Sequence, residues 1–206
     1  MKSVKLDGQD VYPSKIICVR RNYVDHIEEI NNEIPTEPVI FLKPNSSLSN
    51  DIFFNEKEAI HFEGEVSFLV RSEKLFAVGF GLDLTKREIQ SKLKAKGLPW
   101  ERAKSFDKSA VFSEFVKFDG NISALRMELH INDSLIQTAE YDLMLNKPSS
   151  ILDDANSFLS LEDDDLIMTG TPKGVGIVQV GDIFSGKIFE NEKLIVESSW
   201  VVKYNK

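Results

Sequence analysis

The sequence predicts an α+β fold dominated by strands, and three observations carry that expectation. Short runs rich in Val, Ile and Phe recur between Pro-, Gly- or Asn-containing breaks. Helix signals are confined to three short stretches, too few to cover a parallel sheet on both faces. Fourteen Phe against two Trp and four Tyr suggest a core of packed rings. With 206 residues the chain suits a single domain, 1–206, with a short N-terminal segment over about residues 1–14.

Taken in order, residues 15–19 (KIICV) read as a buried strand holding the one cysteine, Cys18, as a structural thiol. Asn22 is placed to cap a short helix over residues 22–31, with Tyr23, Ile27 and Ile30 on its apolar side. A turn bounded by Pro35 and Pro38 leads to a strand at 39–42, ended by Lys43-Pro44. Residues 60–70 (IHFEGEVSFLV) and 76–80 read as strands. Thr85 and Glu88 form a capping box for a helix to about Lys96, stopped by Gly97 and Pro99. The stretch 111–131 reads as extended, closing at an Asn132-Asp133 turn. Ser150 with Asp153 opens a further helix carrying Ala155, Phe158 and Leu159. Strands at 166–169, 183–188 and 194–202 complete the chain.

The formal net charge of −8 argues against nucleic acid or an anionic membrane as partner. An anionic substrate would need a locally positive pocket inside this acidic protein. One cysteine excludes an intramolecular disulfide and fits a reducing compartment. Neither a long apolar run nor a signal-like start appears, so a soluble, cytoplasmic protein is expected.

Glu63 and Glu65 are two apart on an expected strand, so both carboxylates leave one face, with His61 and Ser67 beside them. Asp83 closes a second β-like run. A hard cation such as Mg²⁺ or Mn²⁺ wants a few such carboxylates with positions left open. An isolated E-x-E is more often a solvated strand face, and spacing alone does not bring Asp83 to Glu63. His26 and Glu29, three apart on the short helix, share a face as a base and its orienting carboxylate would, or as a surface pair does. The Gly-rich stretch 169–176 (TGTPKGVG) lacks the spacing of a phosphate-binding P-loop.

Four segments, CVRRNYVDHIEEINNEIPTEPVIFLKPNSSL, HFEGEVSFLV, GLDLTKREIQSKLKAKGLPWERAKSFD and LIMTGTPKGVG, run in order through most of the chain. Together they resemble the fumarylacetoacetate hydrolase family, in particular its small bacterial and mitochondrial members. The resemblance implies a rolled mixed β-structure that usually dimerises. It implies one Mg²⁺ or Mn²⁺ per subunit on Glu63, Glu65 and Asp83. His26 and Glu29 inherit an acid–base role on a lid, and Lys104 that of stabilising an enolate. Arg21, Lys43 and Thr171 match positions at the substrate pocket. The implied substrate is a small anionic 2-keto acid. The activity expected first is cleavage of an acylpyruvate to pyruvate and a carboxylic acid. Oxaloacetate decarboxylation or 2-keto acid tautomerisation at the same metal–enolate site is the alternative, and a catalytically silent metal-binding homologue a third. The sequence departs from its relatives at Arg20, where a Gly is common, and at Ala139 and Tyr141, where Gly and Thr are. These departures bear on pocket shape and substrate choice.

Overall fold

The computed structural model describes residues 1–29 and 33–204. The end of the helix expected over 22–31, including Ile30, lies outside the described residues. Strands dominate, and among the described residues there are four α-helices. Among the described residues, no helix is long and apolar enough to cross a membrane.

The larger sheet runs in the order Val39–Pro44, Lys15–Arg20, Leu166–Met168, Gly64–Arg71, Lys74–Asp83, Ala110–Phe112, Leu48–Ser49, with Val116–Lys117 also paired to Lys74–Asp83. Leu166–Met168 lies parallel to Lys15–Arg20 and antiparallel to Gly64–Arg71, so the sheet is mixed. Lys15–Arg20 is apolar on both faces because both faces are covered. Ile16 and Cys18 pack with Val4, Leu6 and Val11, whereas Ile17 and Val19 pack with Ile151 and Ala155 of the helix Pro148–Phe158. The N-terminal segment, left unassigned by the sequence, is thus an antiparallel hairpin, Val4–Leu6 with Gln9–Val11, that buries one side of the sheet.

The smaller sheet is a four-stranded antiparallel unit in the order Ser134–Glu140, Leu125–Ile131, Ile183–Glu190, Lys193–Val201. Its inner face packs on the larger sheet through the expected rings. Phe62 meets Phe184 edge-on at 5.1 Å and Phe80 lies 5.9 Å from Trp200. Val66 and Phe68 point into the same core, leaving Glu65 and Ser67 for the opposite face.

Four local expectations change. The run 60–70 is two strands: His61–Phe62 pairs with Gly176–Ile177, and Gly64–Arg71 pairs with Lys74–Asp83. Glu63 falls at the crossing between them. Asn22 does not cap its helix, which spans Val24–Glu29. Its side chain donates to the carbonyls of Asn146 and Thr169 and accepts from the Asn146 amide, tying two loops together. The helix Arg87–Ala95 has no side-chain cap, because the Thr85 hydroxyl turns inward to accept from Lys104. The helix expected at Ser150 starts at Pro148, where a missing amide donor costs nothing. A short helix at Glu101–Lys104 had no sequence signal.

Candidate metal and acid–base site

The strands that carry Glu65 and Asp83 form one hairpin, and Glu63 immediately precedes the first of them. Gly64 pairs with Leu82 and Glu65 with Gly81, and the Asp83 amide donates to the Glu63 carbonyl at 2.9 Å. Antiparallel pairing therefore supplies what spacing could not: Asp83 stands beside Glu63. Glu63, Glu65 and Asp83 are all buried, and each offers an oxygen within 4.8 Å of the other two.

Three buried carboxylates need compensating charge. Lys104, 2% exposed, donates to Glu63 Oε2 at 2.8 Å, Asp83 Oδ2 at 2.6 Å and Thr85 Oγ1 at 2.6 Å. Lys43, wholly buried, pairs with Asp83 Oδ1 at 2.9 Å and donates to Ser109. Arg87 donates from Nη2 to Glu63 Oε1 at 2.7 Å. Burial opposes ionisation of Glu63, yet Lys104 and then Arg87 overcome it and hold the carboxyl at about 2. Among the described residues, no lysine or arginine forms an ion pair with Glu65 in the way Lys104 and Arg87 do with Glu63. Burial, then the charges of Asp83 and Glu63, push the Glu65 carboxyl well above the usual range, against a hydrogen bond from the Gly170 amide and the charge of Lys104. A hard oxygen donor set with one carboxylate short of positive charge fits a divalent cation.

Gly170 is required where it sits. Its φ is +91°, and a Cβ there would lie 2.8 Å from Cβ of Asn22. The turn aims its amide at Glu65 Oε2, 2.6 Å away. The following residue, Thr171, is buried and accepts from Gln137 Nε2 at 2.9 Å, while Gln137 Oε1 accepts from the Gly64 amide at 2.9 Å. Gln137 thereby fastens the Gly-rich loop to the strand of Glu65.

Over this floor lies the helix Val24–Glu29. His26, 5% exposed, has Nδ1 3.0 Å from Glu29 Oε2, and Glu29 Oε1 accepts from the Gly174 amide at 3.0 Å. Burial lowers the imidazole pKa, and the hydrogen bond to Glu29 opposes that only in part. His26 is thus neutral at physiological pH. A proton on Nδ1 shared with Glu29 leaves Nε2 as a base.

The cavity between floor and helix is lined by the carboxylates Glu63 and Glu65, by Arg20, Arg21, Arg87 and Lys104, and by His26, Gln90 and Thr171. Its free space is about 10 Å³, room for roughly one water. Four cationic side chains against two carboxylates make a positive pocket inside an acidic chain. Of the residues picked from sequence, His26, Glu63, Glu65, Lys104, Arg21 and Thr171 line this cavity, while Asp83 and Glu29 support them from behind. Lys43 does not line it; its ammonium is committed to Asp83 and Ser109. Neither Ala139 nor Tyr141 reaches it: Ala139 is in the inter-sheet core, and the Tyr141 ring lies beside Lys147. Arg87, Gln90, Thr85 and Gln137 were not anticipated. Arg87 alone had a usable signal, a cation four residues past Asp83 in the first turn of a helix.

The model of the fumarylacetoacetate (FAA) hydrolase C-terminal family matches residues 15–198. The chain belongs to the fumarylacetoacetate hydrolase family. It is an enzyme of that family, and curated relatives span nearly its whole length. It is 32% identical over 216 residues to the mitochondrial oxaloacetate tautomerase oaa1 of Schizosaccharomyces pombe, across 93% of this chain and 96% of that one. It is 33% identical over 190 residues to the oxaloacetate tautomerase YcgM of Escherichia coli, across 83% and 87%. A crystal structure from Oleispira antarctica, described as a candidate fumarylacetoacetate isomerase/hydrolase, superposes with a TM-score of 0.91 at 34% identity, covering 98% of this chain and all of that one.

Proposed function

We propose that this enzyme interconverts the keto and enol forms of oxaloacetate at the buried carboxylate site. One observation carries the reading: a neutral, buried His26 stands over a metal-type carboxylate triad and the Lys104 ammonium in one positive cavity. The two curated relatives named above, both called oxaloacetate tautomerases, support it and put tautomerisation ahead of the acylpyruvate cleavage first expected.

Glu63, Glu65 and Asp83 would hold a Mg²⁺ or Mn²⁺. Bound there, such an ion supplies Lewis acidity toward the 2-oxo group. His26 Nε2 takes a proton from C3 of the keto acid, the C–H electrons form the C2–C3 double bond, and the carbonyl π pair moves onto the 2-oxo oxygen. Glu29 keeps the imidazole in the accepting tautomer through Nδ1. The buried Lys104 ammonium supplies positive charge near the oxygen that becomes negative, and return of the proton from the His26 imidazolium to that oxygen, directly or through a water, completes the enol and restores the neutral imidazole. Arg21 and the Thr171 hydroxyl orient the carboxylate next to the 2-oxo group.

Acylpyruvate hydrolysis is the second reading, because the His26–Glu29 pair would equally take a proton from water. A substrate panel on the Mg²⁺-loaded enzyme separates the two. Enol-to-keto conversion of oxaloacetate followed by ultraviolet absorbance, with no carboxylic acid released from acetylpyruvate, supports tautomerisation. Pyruvate and acetate appearing together from acetylpyruvate, with oxaloacetate untouched, replaces it with hydrolysis.

A further inference from the structure

We propose that Arg20 reads the second carboxylate of the substrate, so that the site selects a dicarboxylic 2-keto acid over a monocarboxylic one. This rests on the tautomerase reading for the identity of the 2-keto acid and goes beyond it in naming the residue that sets specificity. Arg20 ends the strand Lys15–Arg20 and lines the cavity while only 9% exposed. Its Nη1 is buried without a hydrogen-bond partner. The guanidinium carbon lies 4.4 Å from the centre of the Trp100 ring.

The lysines of the site, and Arg87 through Nη2, are already engaged with the protein's own carboxylates. Lys104 is spent on Glu63 and Asp83, Lys43 on Asp83, and Arg87 on Glu63. Each balances a carboxylate that the protein supplies. A buried guanidinium donor with no acceptor is costly in a folded protein and calls for a partner that arrives from outside. Burial and then the neighbouring charge of Arg21 lower the Arg20 pKa only to about 10, so the group stays cationic at neutral pH. The Trp100 ring beneath the guanidinium carbon holds the group by cation–π attraction, and the unpartnered Nη1 suits an oxygen of a carboxylate. The first carboxylate of the substrate is placed with Arg21 and Thr171. Arg20, whose side chain makes no ion pair with a carboxylate of the protein among the described residues, is the donor assigned to the second.

Oxaloacetate and pyruvate differ by the carboxylate on C3, so they form the decisive pair of probes. Tryptophan fluorescence in rapid mixing, with Trp100 beside Arg20, gives dissociation constants for both on the Mg²⁺-loaded enzyme. The wild type is expected to favour oxaloacetate. Arg20→Met keeps a stem to lie on Trp100 while removing every donor, and Arg20→Gly removes the side chain altogether. Both should weaken oxaloacetate roughly 10- to 100-fold, as losing a charge-assisted hydrogen bond would, and leave pyruvate within about threefold. Thermal melts confirm that each variant is folded, and either one suffices. Equal losses for both ligands, unchanged oxaloacetate binding, or no dicarboxylate preference in the wild type would each overturn the assignment. Turnover is scored apart from binding. Arg20-dependent oxaloacetate binding without enolisation defeats the proposed activity alone, whereas enolisation with unchanged binding in the variants defeats Arg20 alone.

Discussion

Glu63, Glu65 and Asp83 stand on or beside paired strands, in a floor crossed by the ammonium groups of Lys104 and Lys43. His26 and Glu29 stand on a helix of six residues held by the buried side chain of Ile27, one hydrogen bond to Gly174 and an exposed ion pair between Asp25 and Lys173. That ion pair adds little, because water screens it. Among the described residues, the floor is tied by several buried charge-assisted bonds and the helix by fewer and weaker ones. Geometry that must hold several charges at close quarters is built into the sheet, whereas the group proposed to move the proton sits on a short helix outside it. Substitutions in the two regions should therefore fail in different ways.

The largest effect belongs to the floor. Lys104→Ala leaves Glu63 and Asp83 buried and each short of a cation. Breaking buried pairs of this kind costs about 3–5 kcal/mol. The expected result is a large fall in melting temperature, with Mg²⁺ restoring more stability to the variant than it adds to the wild type. A variant that melts like the wild type would mean that the carboxylates do not depend on this ammonium.

His26→Ala should show the opposite profile. Activity should drop about 10²- to 10⁴-fold, the range for a lost general base, while the melting temperature moves little because the sheet is untouched. A stability loss as large as that of Lys104→Ala would show that the helix is part of the scaffold and erase the contrast.

The same contrast explains what was legible in the sequence. Runs such as residues 15–19 and 183–188 read correctly because burial imposes a residue pattern on strands regardless of partner. The pairing of Glu63 with Asp83 was not readable, since a hairpin register belongs to two segments at once. Thr85 and Asn22 misled because both obey local capping rules, yet tertiary partners, Lys104 for one and the loops at Asn146 and Thr169 for the other, claimed their side chains. Gln137 acts only through contacts with Gly64 and the loop at Thr171 and Pro172, and carries no local pattern of its own. Family motifs recovered the carboxylates and His26, while Arg20 stood out in the sequence only as a departure.

A smaller and more selective change tests the link between helix and base. Glu29→Gln keeps an oxygen that can accept from the Gly174 amide, so the helix should stay docked. It removes the negative charge beside His26, and with it the hydrogen bond that now raises the imidazole pKa against burial. The pKa of His26 should then fall further. Because the neutral imidazole is the active form, activity is lost as pH drops through that pKa, so the acid limb of the kcat/KM profile should move to lower pH. The plateau should fall about tenfold, because a less basic imidazole accepts the C3 proton with less driving force and its tautomer is less firmly held. The two changes have opposite signs at acidic pH, which separates them from simple loss of folded enzyme. A limb that stays put or moves upward would mean that Glu29 holds the helix to Gly174 and does not tune the base.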